Sequence, residues 1–124
     1  MSIPWGSSHS LVIYQGSGFE ETFEIYESLP DGQPDLDSPI NFSVGTTAVA
    51  QARKKESQTS DLIVEFTVNI EDNKLTLSLT SVETEDITIF AGFYDVFVTE
   101  PSSEPNLFVE GTVKVNKAVT KEEP

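Results

Sequence analysis

The chain has no cysteine, a single histidine, a single tryptophan, and no lysine or arginine before Arg53. Without cysteine there are no disulfide staples, thiolate nucleophiles or cysteine-held zinc sites, so stability has to come from a packed core. Nowhere do eighteen apolar residues run together, and Met1-Ser2-Ile3-Pro4-Trp5 carries no basic segment. Neither a membrane span nor a signal peptide is expected. Cations are scarce throughout, with 7 Lys and Arg against 21 Asp and Glu, a formal charge of −14. Because nucleic-acid affinity comes from basic side chains that displace counterions, DNA, RNA and anionic membranes are excluded as partners.

The inventory for chemistry is equally thin. There is no glycine-rich phosphate loop and no G-x-S-x-G elbow, and His9 lies between Ser8 and Ser10 without motif support. Paired acids such as Glu83, Glu85 and Asp86 are what a chain this acidic produces by coincidence. The expectation is a protein that is not an enzyme and holds no cofactor and no metal.

What remains is a length of 124 residues, enough for one domain, with eight Phe spread along it. Short runs alternate between apolar and polar residues and are separated by turn residues, the pattern of half-buried strands. Leu11–Gln15 ends at Gly16-Ser17-Gly18. In the run 19–27, Phe19, Phe23 and Ile25 share a face with Glu21. Leu62, Val64, Phe66, Val68 and Ile70 share another, followed by Leu75, Leu77 and Leu79 after a hairpin at Glu71-Asp72-Asn73-Lys74. The final pair is 92–100 and 107–116, with Leu107, Val109, Val113 and Val115 inward and Phe108, Glu110, Thr112 and Lys114 outward. Ser81-Val82-Glu83-Thr84-Glu85-Asp86 suits one helical turn.

Two stretches read differently. Leu29–Pro39 holds three prolines and a glycine and is expected to be a long loop. The segment 40–60 is ambiguous, because Ala48-Val49-Ala50-Gln51-Ala52 suits either a strand or a helical turn, and 53–60 reads as a solvated connection. The expected fold is all-β: an antiparallel sandwich, immunoglobulin-like or jelly-roll-like, of about seven or eight strands. Its parts are an N-terminal arm at 1–8, the sandwich at 9–116 and a charged tail at 117–124.

Binding, not catalysis, is therefore the expected work, and three places are candidates for it. Ile3, Pro4 and Trp5 form an apolar knot that either tucks onto its own domain or anchors in a neighbour's pocket. Asp31, Asp35 and Asp37 form an acidic loop, which matches no EF-hand spacing and is read as turn chemistry ahead of calcium binding. The charged tail is the third. A different class of function, carbohydrate recognition, would use exposed aromatics such as Trp5, Tyr14, Tyr26 or Phe108.

The order of several segments adds a resemblance. Gln15-Gly16 precedes the strand from Phe19, Asp31-Gly32-Gln33-Pro34-Asp35-Leu36 forms a turn, and Ala50-Gln51-Ala52-Arg53-Lys54 follows. Lys74–Thr80 then leads into Ser81-Val82-Glu83-Thr84, and the chain closes with Gly92-Phe93-Tyr94-Asp95-Val96 and Glu110-Gly111-Thr112-Val113-Lys114-Val115. This order resembles small β-sandwich structural proteins of tailed bacteriophages and, more distantly, the N-terminal domain of phage baseplate upper proteins. It departs from them at Asp37-Ser38-Pro39-Ile40, where a Thr-Gly-Tyr turn is usual, and in an added stretch from Asn41 to Thr47. The resemblance implies a component of the virion, assembled in the host cytoplasm, at the tail, baseplate or capsid surface. It implies contacts with other virion structural proteins or further copies of itself, and no active site to carry over.

Overall fold

The alternating runs do become strands, and the computed structural model, which describes residues 2–119, stacks them as two sheets around one core. In chain order they are β1 (Ser2–Pro4), β2 (Ser7–Ser8), β3 (Leu11–Tyr14), β4 (Phe19–Ser28), β5 (Pro34–Pro39), β6 (Thr47–Arg53) and β7 (Leu62–Glu65). Then come β8 (Thr67–Glu71), β9 (Lys74–Leu79), the helical turn α1 (Ser81–Glu85), β10 (Ala91–Thr99) and β11 (Asn106–Asn116). The all-β expectation holds, but the count among the described residues is eleven strands, not seven or eight.

The five-stranded sheet runs β8-β9-β4-β1, with β5 pairing β4 beyond the end of β9. The six-stranded sheet runs β7-β6-β10-β11, with β2 and β3 along the far edge of β11. Phe23, Ile25, Leu75 and Leu77 from the first sheet meet Ala50, Ala52, Val96, Val98, Val113 and Val115 from the second, all buried. Polar hairpin ends stay outside, and Asp72 takes the positive φ of 54° that the 71–74 turn requires.

The purely antiparallel expectation is corrected. β1 pairs parallel with β4, and β2 and β3 pair parallel with β11. The segment 1–8, expected as an arm, supplies two of those strands, β1 and β2, so residues 2–14 seal one edge of each sheet. The reason is burial: Ile3 is only 3% exposed, and leaving it in solvent would forfeit that contact. Covering the edges also hides backbone groups that would otherwise pair with other chains.

Three local readings also change. The loop at 29–39 contains β5, an edge strand on β4 with prolines at both ends, where a missing N–H removes no interior ladder bond. Leu62–Ile70 is not one strand: β7 lies in one sheet, β8 in the other, and Phe66, 5% exposed, sits at the crossing with its N–H donated to the Ala50 carbonyl. The phase slips there, so Ile63 is buried while Leu62 is exposed. Phe108, expected outside, is fully buried. The β10–β11 register passes from Val96 opposite Val109 to Phe97 opposite Leu107, leaving Phe108 as the extra residue of a bulge that turns it inward. There it meets Trp5, Phe23 and Phe42 at ring distances of 5.3, 6.2 and 6.1 Å.

The ambiguous alanines form β6, with Ala50 and Ala52 inward. The helical turn is present, capped one residue earlier than the sequence suggests. Thr80 accepts from the Glu83 N–H and the Glu83 carboxylate accepts from the Thr80 N–H, a reciprocal capping box. Of the expected tail, 120–124 lie outside the described residues, while Lys117 places its ammonium over the Phe90 ring.

Candidate functional site

The strands that carry most of the residues singled out from sequence flank the C-terminal end of β4. Pro4 of β1 and Pro39 of β5 both lie opposite Tyr26 of β4. Ile3, however, belongs to the core, and Trp5 is half-buried with its ring against Phe42 and Phe108. The tucked alternative describes this knot. Asp31 accepts from the Gln33 N–H, and Asp35 accepts from the Asp37 N–H and the Ser38 hydroxyl. These are turn bonds that shape the loop, and among the described residues no three His, Asp or Glu side chains gather as metal ligands. Of the aromatics considered for sugar, Phe108 and Trp5 are packed, Tyr26 donates to Glu24, and Tyr14 is exposed.

A better-formed site lies elsewhere, on the outer face of the six-stranded sheet. In β10 the inward positions are Tyr94, Val96 and Val98, so Phe93, Asp95 and Phe97 all point outward. Across the ladder, Phe93 lies opposite Arg53 and Thr112, Asp95 opposite Gln51 and Glu110, and Phe97 opposite Val49 and Leu107. Together with the 55–58 segment these side chains line an open cleft of about 650 Å³. Three apolar side chains remain exposed on it, Val49, Phe93 and Phe97.

One side of the cleft is fixed by a chain of hydrogen bonds. Gln51 Nε2 donates to Glu65, and Arg53 donates to Gln51 Oε1 at 2.9 Å and to the Ser60 carbonyl at 2.8 Å. Ser60 in turn accepts the Lys55 N–H, holding the overhanging turn in place. Arg53 is thereby engaged away from the carboxylates. Asp95 accepts no hydrogen bond or salt bridge from any described residue, and partial burial, then Glu110 opposite it, raise its carboxyl above the usual value while Arg53 opposes the rise. Like charges facing each other across strands are unfavourable, and although Arg53 and Lys55 also line the cleft, neither forms an ion pair with Asp95 or Glu110 among the described residues.

The cleft is anchored from beneath. Tyr94 donates its hydroxyl to the His9 carbonyl, His9 donates its N–H to the Glu110 carbonyl, and Gly111 lets the two strands close on this point. Burial, with Glu21 second, holds the Tyr94 hydroxyl far above the usual phenol value, so it remains a donor. His9 is absent from the cleft. Its Nε2–H donates to Glu21 at 2.8 Å and its ring packs edge-on to Phe23, between the sheets. The cleft therefore offers aromatic surface, acceptors and negative charge, with no imidazole beside its hydroxyls.

Sequence reasoning missed this face. The signal was present, since two phenylalanines fall on the polar phase of the run 92–99, where an alternating strand normally places soluble residues. No family model and no curated protein matches the chain.

Proposed function

We propose that this chain is a non-enzymatic structural or adaptor protein of a tailed-phage virion, at the tail, baseplate or capsid surface, and that it works by protein–protein contact. The observation that carries the contact reading is the outer face of the six-stranded sheet, where Val49, Phe93 and Phe97 stand exposed on regular strands and polar side chains ring them. Interfaces share that anatomy, with aromatics at the centre and a polar rim. The virion placement rests on the sequence resemblance.

Size bears on how such a face would be used. Four strands side by side and the seven residues of β6 span a patch of roughly 450 Å². That is below the ~800 Å² per partner of a standard interface. A single contact of this kind is weak, and repetition around a symmetric particle compensates for it. The partners are other virion structural proteins, with further copies of the chain in the same assembly.

The test is made on purified particles. Mass spectrometry should find the chain in them, and a photo-crosslinking benzoylphenylalanine in place of Phe97 should join it to an identified virion protein, with the same group at exposed Val82 as the negative control. Absence of the chain from particles defeats the virion reading. Crosslinking from position 82 and not 97 defeats the choice of face.

A further inference from the structure

We infer that the contact made through this face is the docking of a partner's arginine side chain onto Asp95 and Glu110, flanked by Phe93 and Phe97. This rests on the protein-binding reading of the face and specifies the partner's chemistry.

Charge complementarity carries the argument. Asp95 and Glu110 are direct cross-strand partners, so their carboxylates stand side by side on the outer surface. Neither cation that lines the cleft pairs with them: Arg53 donates to Gln51 and the Ser60 carbonyl, and Lys55 is in no ion pair among the described residues. Among the described residues the single ion pair within 4 Å is His9–Glu21, which lies between the sheets. The chain as a whole carries −14. A cation supplied from outside relieves the repulsion that the fold leaves in place, and a neutral ligand does not.

The rings narrow the choice of cation. Phe93 and Phe97 stand two residues to either side of Asp95 on the same face, about 7 Å along the strand in each direction. A flat group seated over Asp95 therefore has a phenyl ring at each end. Guanidinium suits such a place better than ammonium, because it bridges carboxylates with two parallel hydrogen bonds, stacks on aromatic surface and sheds water more readily. Two carboxylates bordered by phenyl rings supply too few of the roughly six to eight oxygens that a calcium site needs.

The probe is N-acetyl-arginine amide, titrated into the intact chain and followed through its amide resonances, with the neutral N-acetyl-citrulline amide as its near-isosteric control. Saturable shifts are expected at 49–53, 93–97 and 110–112. Binding should weaken about tenfold with citrulline and on Asp95→Asn, as one charge-assisted pair is lost, and should fall as salt is raised. Equal binding of citrulline, indifference to Asp95→Asn, or shifts centred on Asp31–Asp37 would overturn the inference. So would a soluble oligosaccharide that perturbs the same residues when arginine does not. If arginine fails while the crosslink from position 97 persists in particles, the contact reading stands and this one falls. If arginine binds to a chain that no particle carries, the surface chemistry stands and the virion reading falls.

Discussion

Replacing Gly111 by alanine tests the unexpected part of the architecture, the parallel seating of the N-terminal segment on β11. A Cβ there would drive into the His9 carbonyl, lying 2.8 Å from its carbon, and would stand 3.2 Å from Tyr94 Cε1. The obstacle on the His9 side is backbone, which cannot swing aside as a side-chain tip can. Overpacking of this kind costs about 1–3 kcal/mol. Pushing residue 9 outward also strains the His9 N–H bond to Glu110 and the Tyr94 hydroxyl bond to His9, each contributing about 1 kcal/mol. The expected loss is about 3–4 kcal/mol, a large part of the 5–15 kcal/mol that keeps a domain folded. At this chain length that lowers Tm by on the order of 10 °C. Gly18→Ala is the matched control, since its Cβ meets nothing nearer than the Leu79 carbonyl at 3.8 Å and its φ is ordinary. It should be neutral or stabilise by about 0.4–1 kcal/mol through the unfolded chain. Thermal melts and urea midpoints read both variants, and hydrogen exchange at Leu11–Tyr14 reports whether β3 has loosened. A Gly111→Ala protein melting within about 2 °C of the parent would refute the close approach and the strand placement built on it.

Other substitutions probe separate points. Phe108→Ala should cost about 3–5 kcal/mol in urea denaturation, because the ring is fully buried; an exposed Phe108 would cost almost nothing. Ile3→Ala should cost about 2–4 kcal/mol, whereas a free arm would tolerate it with no change in the midpoint. Thr84 is buried, accepts the Gly16 N–H and donates to the Ser17 carbonyl, so Thr84→Val should cost about 1–3 kcal/mol while keeping the volume. Asp95 has a carboxyl raised by burial and then by Glu110, so the folded chain binds that proton more tightly than the unfolded chain. Its ionisation thus subtracts stability as pH climbs past 3.8 and through the raised value, and Asp95→Asn should melt above the parent at pH 7 and beside it well below pH 3.8. An Asp95→Asn protein no more stable than the parent at pH 7 would contradict that direction.

Much of the core was legible because its signals are local. In β4 and β9 a strict two-residue period delivers Phe23, Ile25, Leu75, Leu77 and Leu79 to the interior, and the structure keeps that phase. The Thr80–Glu83 box sits within one turn of the residues that suggested a helix. Phe108 was illegible for the opposite reason: a bulge inserts one residue, flips the phase, and is dictated by pairing with β10, not by anything in 106–110 itself. The candidate face was half legible. Phe93 and Phe97 on a polar phase were visible, but their meeting with Gln51, Arg53 and Glu110 needed the order of three strands.

Composition and periodicity by themselves determined that this is a strand-built, cysteine-free, strongly acidic domain, since burial pattern and net charge are properties of residues and their nearest neighbours. Tertiary structure alone decided that residues 2–14 complete the edges of both sheets, that 62–71 crosses between them at Phe66, and that Asp95 and Glu110 stand together on an outer face. Each of these depends on which distant strand lies alongside, and that choice is made by the free energy of closing the whole core.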